Sequence, residues 1–136
     1  MDLKLTNKII IVTGGAKGIG EGIVQVLAEE GVIPVIVGRN KADNLKVVNN
    51  LAEKGKNSFQ VVAELSDPEA CKHAIDEIVK EFGRIDGLVN NAGVNDSVGL
   101  QTGNYEAFVA SLHKNVVHYY LMAQHALPYL IESKGA

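Results

Sequence analysis

One cysteine, Cys71, is all the thiol this chain has, so no disulfide can close within it, as fits a reducing compartment such as the cytoplasm. Cations are not in excess. Lys and Arg number 13 against 16 Asp and Glu, a net charge of -3, which removes the electrostatic case for nucleic acid or an anionic membrane. No apolar run approaches the length of a transmembrane span. Met1-Asp2-Leu3-Lys4-Leu5 does not have the charged-then-apolar layout of a signal peptide. Repeats, low-complexity tracts and linkers are missing too. His73 is predicted to face solvent, and His113, His118 and His125 lack metal-ligand spacing, with no acid joining them, so no metal is expected. At 136 residues the chain is long enough for one core and too short for two.

What is present begins at Lys8. Ile9-Ile10-Ile11-Val12 is a β-branched run too short for a helix and followed by glycines, which predicts a strand buried on both faces. Thr13-Gly14-Gly15-Ala16-Lys17-Gly18-Ile19-Gly20 comes next, then a helical pattern at Ile19, Ile23, Val26 and Leu27. Strand, glycine-rich turn, helix is the order that sets backbone N–H groups and the positive end of a helix against a phosphate. Gly14 lets the chain leave the strand, Gly18 keeps a Cβ away from the ligand, and Gly20 lets the helix lie close to the sheet. A P-loop is ruled out because Glu21 stands where Lys-Ser/Thr is needed, and the G-x-G-x-x-G pattern fails as well. The spacing is T-G-x-x-x-G-x-G, and a glycine-rich connection with no ligand also fits it.

Further elements alternate. Val32 to Val37 reads as a second strand, with Pro34 placed near its start because proline cannot donate to a ladder. Asn40 caps a helix carrying Leu45, Val48, Leu51 and Ala52. Ser58 to Leu65 gives a third strand, and Asp67-Pro68 starts a third helix. On that helix Cys71, Ala74, Ile75, Ile78, Val79 and Phe82 form one apolar stripe closed by Gly83, which makes Cys71 a core residue rather than a nucleophile. Ile85 to Asn90 is the fourth strand. A polar loop from Asn91 to about Asn104 leads into a long helix from Tyr105 to Ser133, with a break near Leu112 to Lys114 and a kink at Pro128 as candidate irregularities. The alternation implies an α/β fold, a doubly wound parallel sheet truncated after the fourth βα unit. Strand four is then expected to be a bare apolar edge, as in the front part of a larger domain.

The glycine-rich turn, Asn90-Asn91-Ala92-Gly93 after the fourth strand, and Asn115 in the long helix together resemble the short-chain dehydrogenases/reductases, with the likeness running the whole length of the chain. The resemblance implies a Rossmann-type NAD(P)-binding domain, residues 1–136 matching its N-terminal half, in an oxidoreductase. It also implies roles. Gly14, Ile19 and Gly20, with Ala16, Lys17 and Gly18 around them, would meet the cofactor's diphosphate and ribose; Leu65 and the preceding acid would meet the adenine; Asn91, Ala92 and Gly93 would line the nicotinamide side. Asn115 would support the catalytic proton relay. That acid is Glu64 here where the family usually has Asp, one methylene longer. The family's long helix packs on a partner subunit, which implies a homo-oligomer formed through residues 105–133, and the wide apolar surface of that helix agrees, although a core helix would look the same.

Cofactor choice follows from charge. NAD binders usually place an acid at the end of the second strand for the ribose 2′-OH, but Gly38 stands there, followed by Arg39. Arg39 and Lys17 together favour the 2′-phosphate of NADP(H), with NAD second, unless both are simply solvated surface cations. The chemistry the family performs is hydride transfer between nicotinamide and an alcohol or ketone. Its Ser and its Tyr-x-x-x-Lys pair are not found: Tyr105, Tyr119, Tyr120 and Tyr129 are followed four residues later by Val109, Ala123, Gln124 and Ser133. Residues 1–136 alone are therefore expected to be inactive. Val94-Asn95-Asp96-Ser97, with Phe108 to Leu112 and His118-Tyr119-Tyr120, is similar to sugar dehydrogenases of the L-fucose dehydrogenase type, which would give Asn95 and Asp96 a polyol to bind; an ordinary polar turn fits equally. Two other functions stay open, a catalytically inactive dinucleotide-binding module and a fragment that folds against a partner.

Overall fold

The computed structural model describes residues 1–136. Four strands, β1 (Ile9–Thr13), β2 (Ile33–Gly38), β3 (Phe59–Val62) and β4 (Gly87–Val89), pair in the order β3-β2-β1-β4 with every pairing parallel. Helices α1 (Gly18–Glu29), α2 (Lys41–Glu53) and α3 (Pro68–Phe82) make the crossovers. After β4, α4 (Tyr105–Leu112) runs through a π-helical turn (His113–Val117) into α5 (His118–Ser133). This is a Rossmann-type doubly wound α/β sheet.

Alternation along the strands feeds two cores. Ile9, Ile11, Val35 and Val37 point to the face covered by α3 and α5, where Ile75, Ile78, Met122 and Ala126 are buried against them. Val12 and Ile36 point to the other face, covered by α1 and α2 through Val24, Ala28, Val47 and Leu51. Both faces of the sheet are therefore dry, as the unbroken apolar runs require. Pro34 pairs opposite Ile10 as the second residue of β2. The N–H of Ile33 points to Lys8 on the β1 side, so the nitrogen of Pro34 faces the β3 side, where pairing starts only at Val35 opposite Phe59. No ladder bond is lost there.

Helix starts follow their sequence signals. Asn40 Oδ1 accepts from Asp43 N at 3.0 Å, Asp67 Oδ1 accepts from Glu69 N at 3.0 Å with Pro68 in the first turn, and Gly83 ends α3 at φ 70°. Several expectations need correction. The buried side of α1 is Gly20, Val24 and Ala28, not Ile19 and Val26, because the close approach at Gly20 turns that side to the sheet; Ile19 is 79% exposed. On α2 Leu51 is buried as expected and Val48 packs against the core, but Leu45 is exposed, and Asn44 and Val47 point inward in its place. The edge of β4 is also not bare. Ser133 Oγ donates to Ile85 O at 2.7 Å, Ala136 N donates to Asp86 O at 3.1 Å and Leu88 N to Ala136 O at 2.9 Å, so chain following α5 begins to pair along it. The irregularity near Leu112 to Lys114 is a π-turn rather than a break, which keeps the helix continuous. Strands β3 and β4 are shorter than their apolar runs suggest.

At the N-terminal ends of the strands Asp86 joins β1 to β4. Its carboxylate accepts from Ile9 N at 2.9 Å and from both Nε and Nη2 of Arg84, with Lys8 Nζ at 3.7 Å. Burial pushes this carboxyl up, but the Arg84 and Ile9 hydrogen bonds and the charges of Arg84 and Lys8 outweigh it and hold it below the ordinary value of 3.8. Cys71, fully buried, lies against Leu65 O at 3.3 Å, and burial with the nearby Asp67 charge pushes its thiol up. It is an inert core residue.

Candidate functional site

A cleft of about 530 Å³ opens across the C-terminal ends of the four strands. It lies where the strand order reverses, between the loop after β1 and the loop after β4, the place where open α/β sheets leave a crevice.

The floor is the turn from Thr13 to α1. Gly14 adopts φ 67°, and a Cβ there would press on Ala92 Cα at 3.0 Å and Asn91 Nδ2 at 3.1 Å. A Cβ on Gly20 would overlap the Gly14 carbonyl and sit 2.5 Å from Asn91 Nδ2. Only glycines let the helix, the turn and the β4 loop come this close. The three are then tied by hydrogen bonds. Buried Thr13 Oγ1 accepts from Asn91 N and Ala92 N, both at 3.0 Å, and lies 3.4 Å from Val89 O, while Asn91 Nδ2 donates to Thr13 O at 3.0 Å.

The first turn of α1 ends at this cleft without a side-chain cap. Its N-cap is Lys17, in an extended conformation, and no side chain accepts from the first-turn amides, whereas α2, α3 and α4 are capped by Asn40, Asp67 and Asn104. The leading N–H groups of a helix have no partner within it. At Gly18, φ 56°, a Cβ would meet no protein atom within 4 Å, so the space in front of those amides is open. Uncapped donors, a positive helix end and an open approach suit an anion such as a diphosphate.

The cleft gathers nearly all the residues singled out in the sequence. Gly14, Ala16, Lys17, Ile19 and Gly20 line it from the turn and α1; Arg39 from the end of β2; Glu64 and buried Leu65 from the end of β3; Asn91, Ala92 and Gly93 from the end of β4. Four others stand outside its lining. Gly18 borders it, and Asn115 acts through the loop: its Oδ1 accepts from Val94 N at 2.7 Å and its Nδ2 donates to Ser111 O at 3.1 Å, pinning the Gly93-Val94 segment to the π-turn. Asp96 accepts from Ser111 Oγ at 3.0 Å and lies 3.8 Å from Lys114 Nζ, and Asn95 Oδ1 accepts from Ser97 N at 3.1 Å.

All three cations lining the cleft, Lys17, Arg39 and Lys114, have carboxylate neighbours. Lys17 Nζ is 2.9 Å from Asp43 and Arg39 is 4.0 Å from Glu64, whose Oε1 also accepts from Ser66 Oγ at 2.9 Å. The Lys17 and Arg39 side chains are 78% and 73% exposed, and pairs in that setting are worth about 0–1 kcal/mol, so an arriving phosphate can exchange for either acid.

Sequence reasoning gives no role to three residues here. Thr13 reads only as the opening residue of the glycine-rich turn, although a hydroxyl just before the glycines is well placed to reach the β4 loop. Asn44 lies on the buried side of α2, where the apolar template points one residue away. His118, buried at the back of the cleft, has Nε2 2.9 Å from Lys114 O and stacks edge-on with Tyr119 at 4.9 Å.

Comparison with known proteins places this arrangement. The family model described as short chain dehydrogenase matches residues 8–136. The chain is 30% identical over 136 residues to L-fucose dehydrogenase of Bos taurus, covering 99% of the chain and 49% of that protein. It is 30% identical over 133 residues to 11-beta-hydroxysteroid dehydrogenase A of Sesamum indicum, covering 96% and 38%. L-sorbose reductase from Gluconobacter frateurii, solved in complex with NADPH and L-sorbose, superposes with a TM-score of 0.89 at 27% identity, covering 96% of the chain and 50% of that structure. The chain thus spans half or less of the length of these proteins. None of its helices is long and apolar enough to cross a membrane.

Proposed function

The chain belongs to the short-chain dehydrogenase family, and from that premise we propose that residues 1–136 are the cofactor-binding half of an NADP(H)-dependent oxidoreductase for a sugar or another small alcohol or ketone. The uncapped N-terminus of α1, opening on a glycine-lined cleft at the sheet's reversal point, carries the proposal. Gly14, Gly18, Ile19 and Gly20 hold the diphosphate, with Ala16 and Lys17 beside them. Leu65 and Glu64 border the adenine, and Asn91, Ala92 and Gly93 carry the ribose next to the nicotinamide. Bound there, the cofactor supplies a hydride. The chain's own residues bind and orient it: Thr13 and Asn115 fix the two ends of the β4 loop, and Asn115 thereby positions the site's nicotinamide side. Asn95 and Asp96, just beyond, border the substrate. L-sorbose reductase supports a sugar and the steroid dehydrogenase the wider class.

NADP(H) is favoured over NAD(H) because the end of β2 bears Gly38, not an acid, and Arg39 and Lys17 flank the position of the 2′ group. The exposed apolar line of Tyr105, Phe108, Leu112, Val116, Tyr120 and Leu127 supports a homo-oligomer built through helix 105–133. Unpaired, buried Cys71 suits the cytoplasm. No Tyr in residues 1–136 has a Lys four positions on, so this half alone gives no turnover; the same fact favours, as a second reading, an inactive dinucleotide-binding module.

The test is titration of the chain and of Arg39→Asp with NADPH and NADH, read by nucleotide fluorescence. The wild-type chain is expected to bind NADPH about tenfold tighter or more, the worth of one hydrogen-bonded charge pair, and the variant to lose that preference. Equal NADPH affinity in both proteins contradicts the assignment.

A further inference from the structure

Gly38 ends β2 at the point where an acid would select NAD(H), and its neighbour explains why no side chain stands there. A Cβ on Gly38 would lie 2.7 Å from Asn44 Oδ1, 3.5 Å from its Cγ and 3.6 Å from its Nδ2, closer than real carbon–oxygen contacts come. The end of a side chain can usually swing aside, but this one cannot do so cheaply. Asn44 is 1% exposed, and its Nδ2 faces three acceptors, Gly38 O at 3.0 Å, Gln60 Oε1 at 3.2 Å and Val61 O at 3.4 Å. The two backbone carbonyls also fix which way the amide points, since a flipped Asn44 would set its oxygen against those of Gly38 and Val61. Oδ1 is left without a donor, buried beside Gly38.

We propose that Asn44 is a specificity-determining residue: by seating its amide oxygen where the Cβ of residue 38 would lie, it holds the end of β2 as glycine and leaves recognition of the adenosine 2′ group to Arg39. The inference rests on the NADP(H) reading above and adds the reason that an acid placed at position 38 alone cannot reverse it. An aspartate at position 38 would meet Asn44 twice, through its Cβ and through a carboxylate set near a buried, unpartnered oxygen. Either contact displaces α2 from the β2–β3 seam that Asn44 ties together. Shortening residue 44 opens that space, and an acid at 38 can then face the ribose 2′-OH.

The experiment is a double-mutant cycle in the 136-residue chain, with Gly38→Ala and Asn44→Ser, read by urea unfolding. Serine keeps a donor near the Gly38 carbonyl, and sucrose can be added to hold a weakened variant in range. Gly38→Ala is expected to lower the folding constant about tenfold or more with Asn44 in place, and less than about threefold when Asn44→Ser is already present. A second arm titrates NADH and NADPH into Gly38→Asp and into the double variant Gly38→Asp/Asn44→Ser. Only the double variant is expected to gain NADH affinity, by about tenfold over the single one. Gly38→Ala with undiminished stability, an equal loss in both backgrounds, or a Gly38→Asp variant that gains NADH affinity unaided each overturn the proposal. A wild-type chain without NADPH preference defeats the cofactor reading instead, and leaves the stability coupling between positions 38 and 44 as a separate result.

Discussion

Thr13→Val removes one oxygen from the middle of the site and changes little else. Valine keeps the shape of threonine, so packing at this fully buried position survives. What is lost is the acceptor shared by Asn91 N and Ala92 N, each 3.0 Å from Thr13 Oγ1. An unsatisfied buried donor costs about 1–3 kcal/mol, and the half-buried state of Asn91 and Ala92 puts each toward the low end, so the pair should cost about 2–3 kcal/mol. Thr13→Ser keeps the hydroxyl and sheds one methyl, for about 1 kcal/mol. Urea unfolding of the three proteins gives these differences, and amide hydrogen exchange localises them. In the valine variant the Asn91 and Ala92 amides should exchange faster while those of β2 change only with global stability. If valine is no worse than serine and exchange at 91 and 92 is unaltered, Thr13 does not hold the β4 loop to the turn.

Gly20→Ala puts a Cβ into the Gly14 carbonyl and Asn91 Nδ2, and should cost about 2–3 kcal/mol in urea and abolish NADPH binding by titration; an unchanged midpoint refutes the close approach. Asp86 gives the chain an acid-sensitive clasp. Its folded carboxyl titrates below 3.8, so the unfolded chain binds the proton first, and the stabilisation is complete above that value and lost as pH falls through the folded one. Asp86→Asn should therefore be less stable at neutral pH and show a shallower acid limb in unfolding midpoints measured from about pH 7 to about pH 2. Parallel curves for the two proteins would remove Asp86 from the account.

The order of elements could be read from the sequence because β1 and β2 are β-branched runs and α2 and α3 bear clear punctuation in Asn40, Asp67-Pro68 and Gly83. The cleft was legible for a related reason. Residues that leave successive parallel strands at their C-terminal ends, Gly14, Arg39, Leu65 and Ala92, must converge once the strands lie side by side. Which side of a helix faces inward was less legible. On α1 the decisive residue is Gly20, which has no hydrophobicity to signal it, and on α2 it is Asn44, a polar residue satisfied only by atoms of β2 and β3 that lie next to it after folding. The pairing of Lys17 with Asp43 and Arg39 with Glu64 was hidden in the same way, since each joins residues more than twenty positions apart that meet only after folding. The covered edge of β4 depends on where the chain turns after α5, which the apolar pattern does not specify.

The direct test of the diphosphate site is an amide spectrum of the isotopically labelled chain with and without NADPH. Shifts should concentrate at Gly14, Gly18, Ile19 and Gly20 and at Asn91 to Gly93, with Lys8 and Asp86 at the opposite end of the sheet unmoved. Saturable shifts confined to that opposite end, or none at the first turn of α1, would contradict the account.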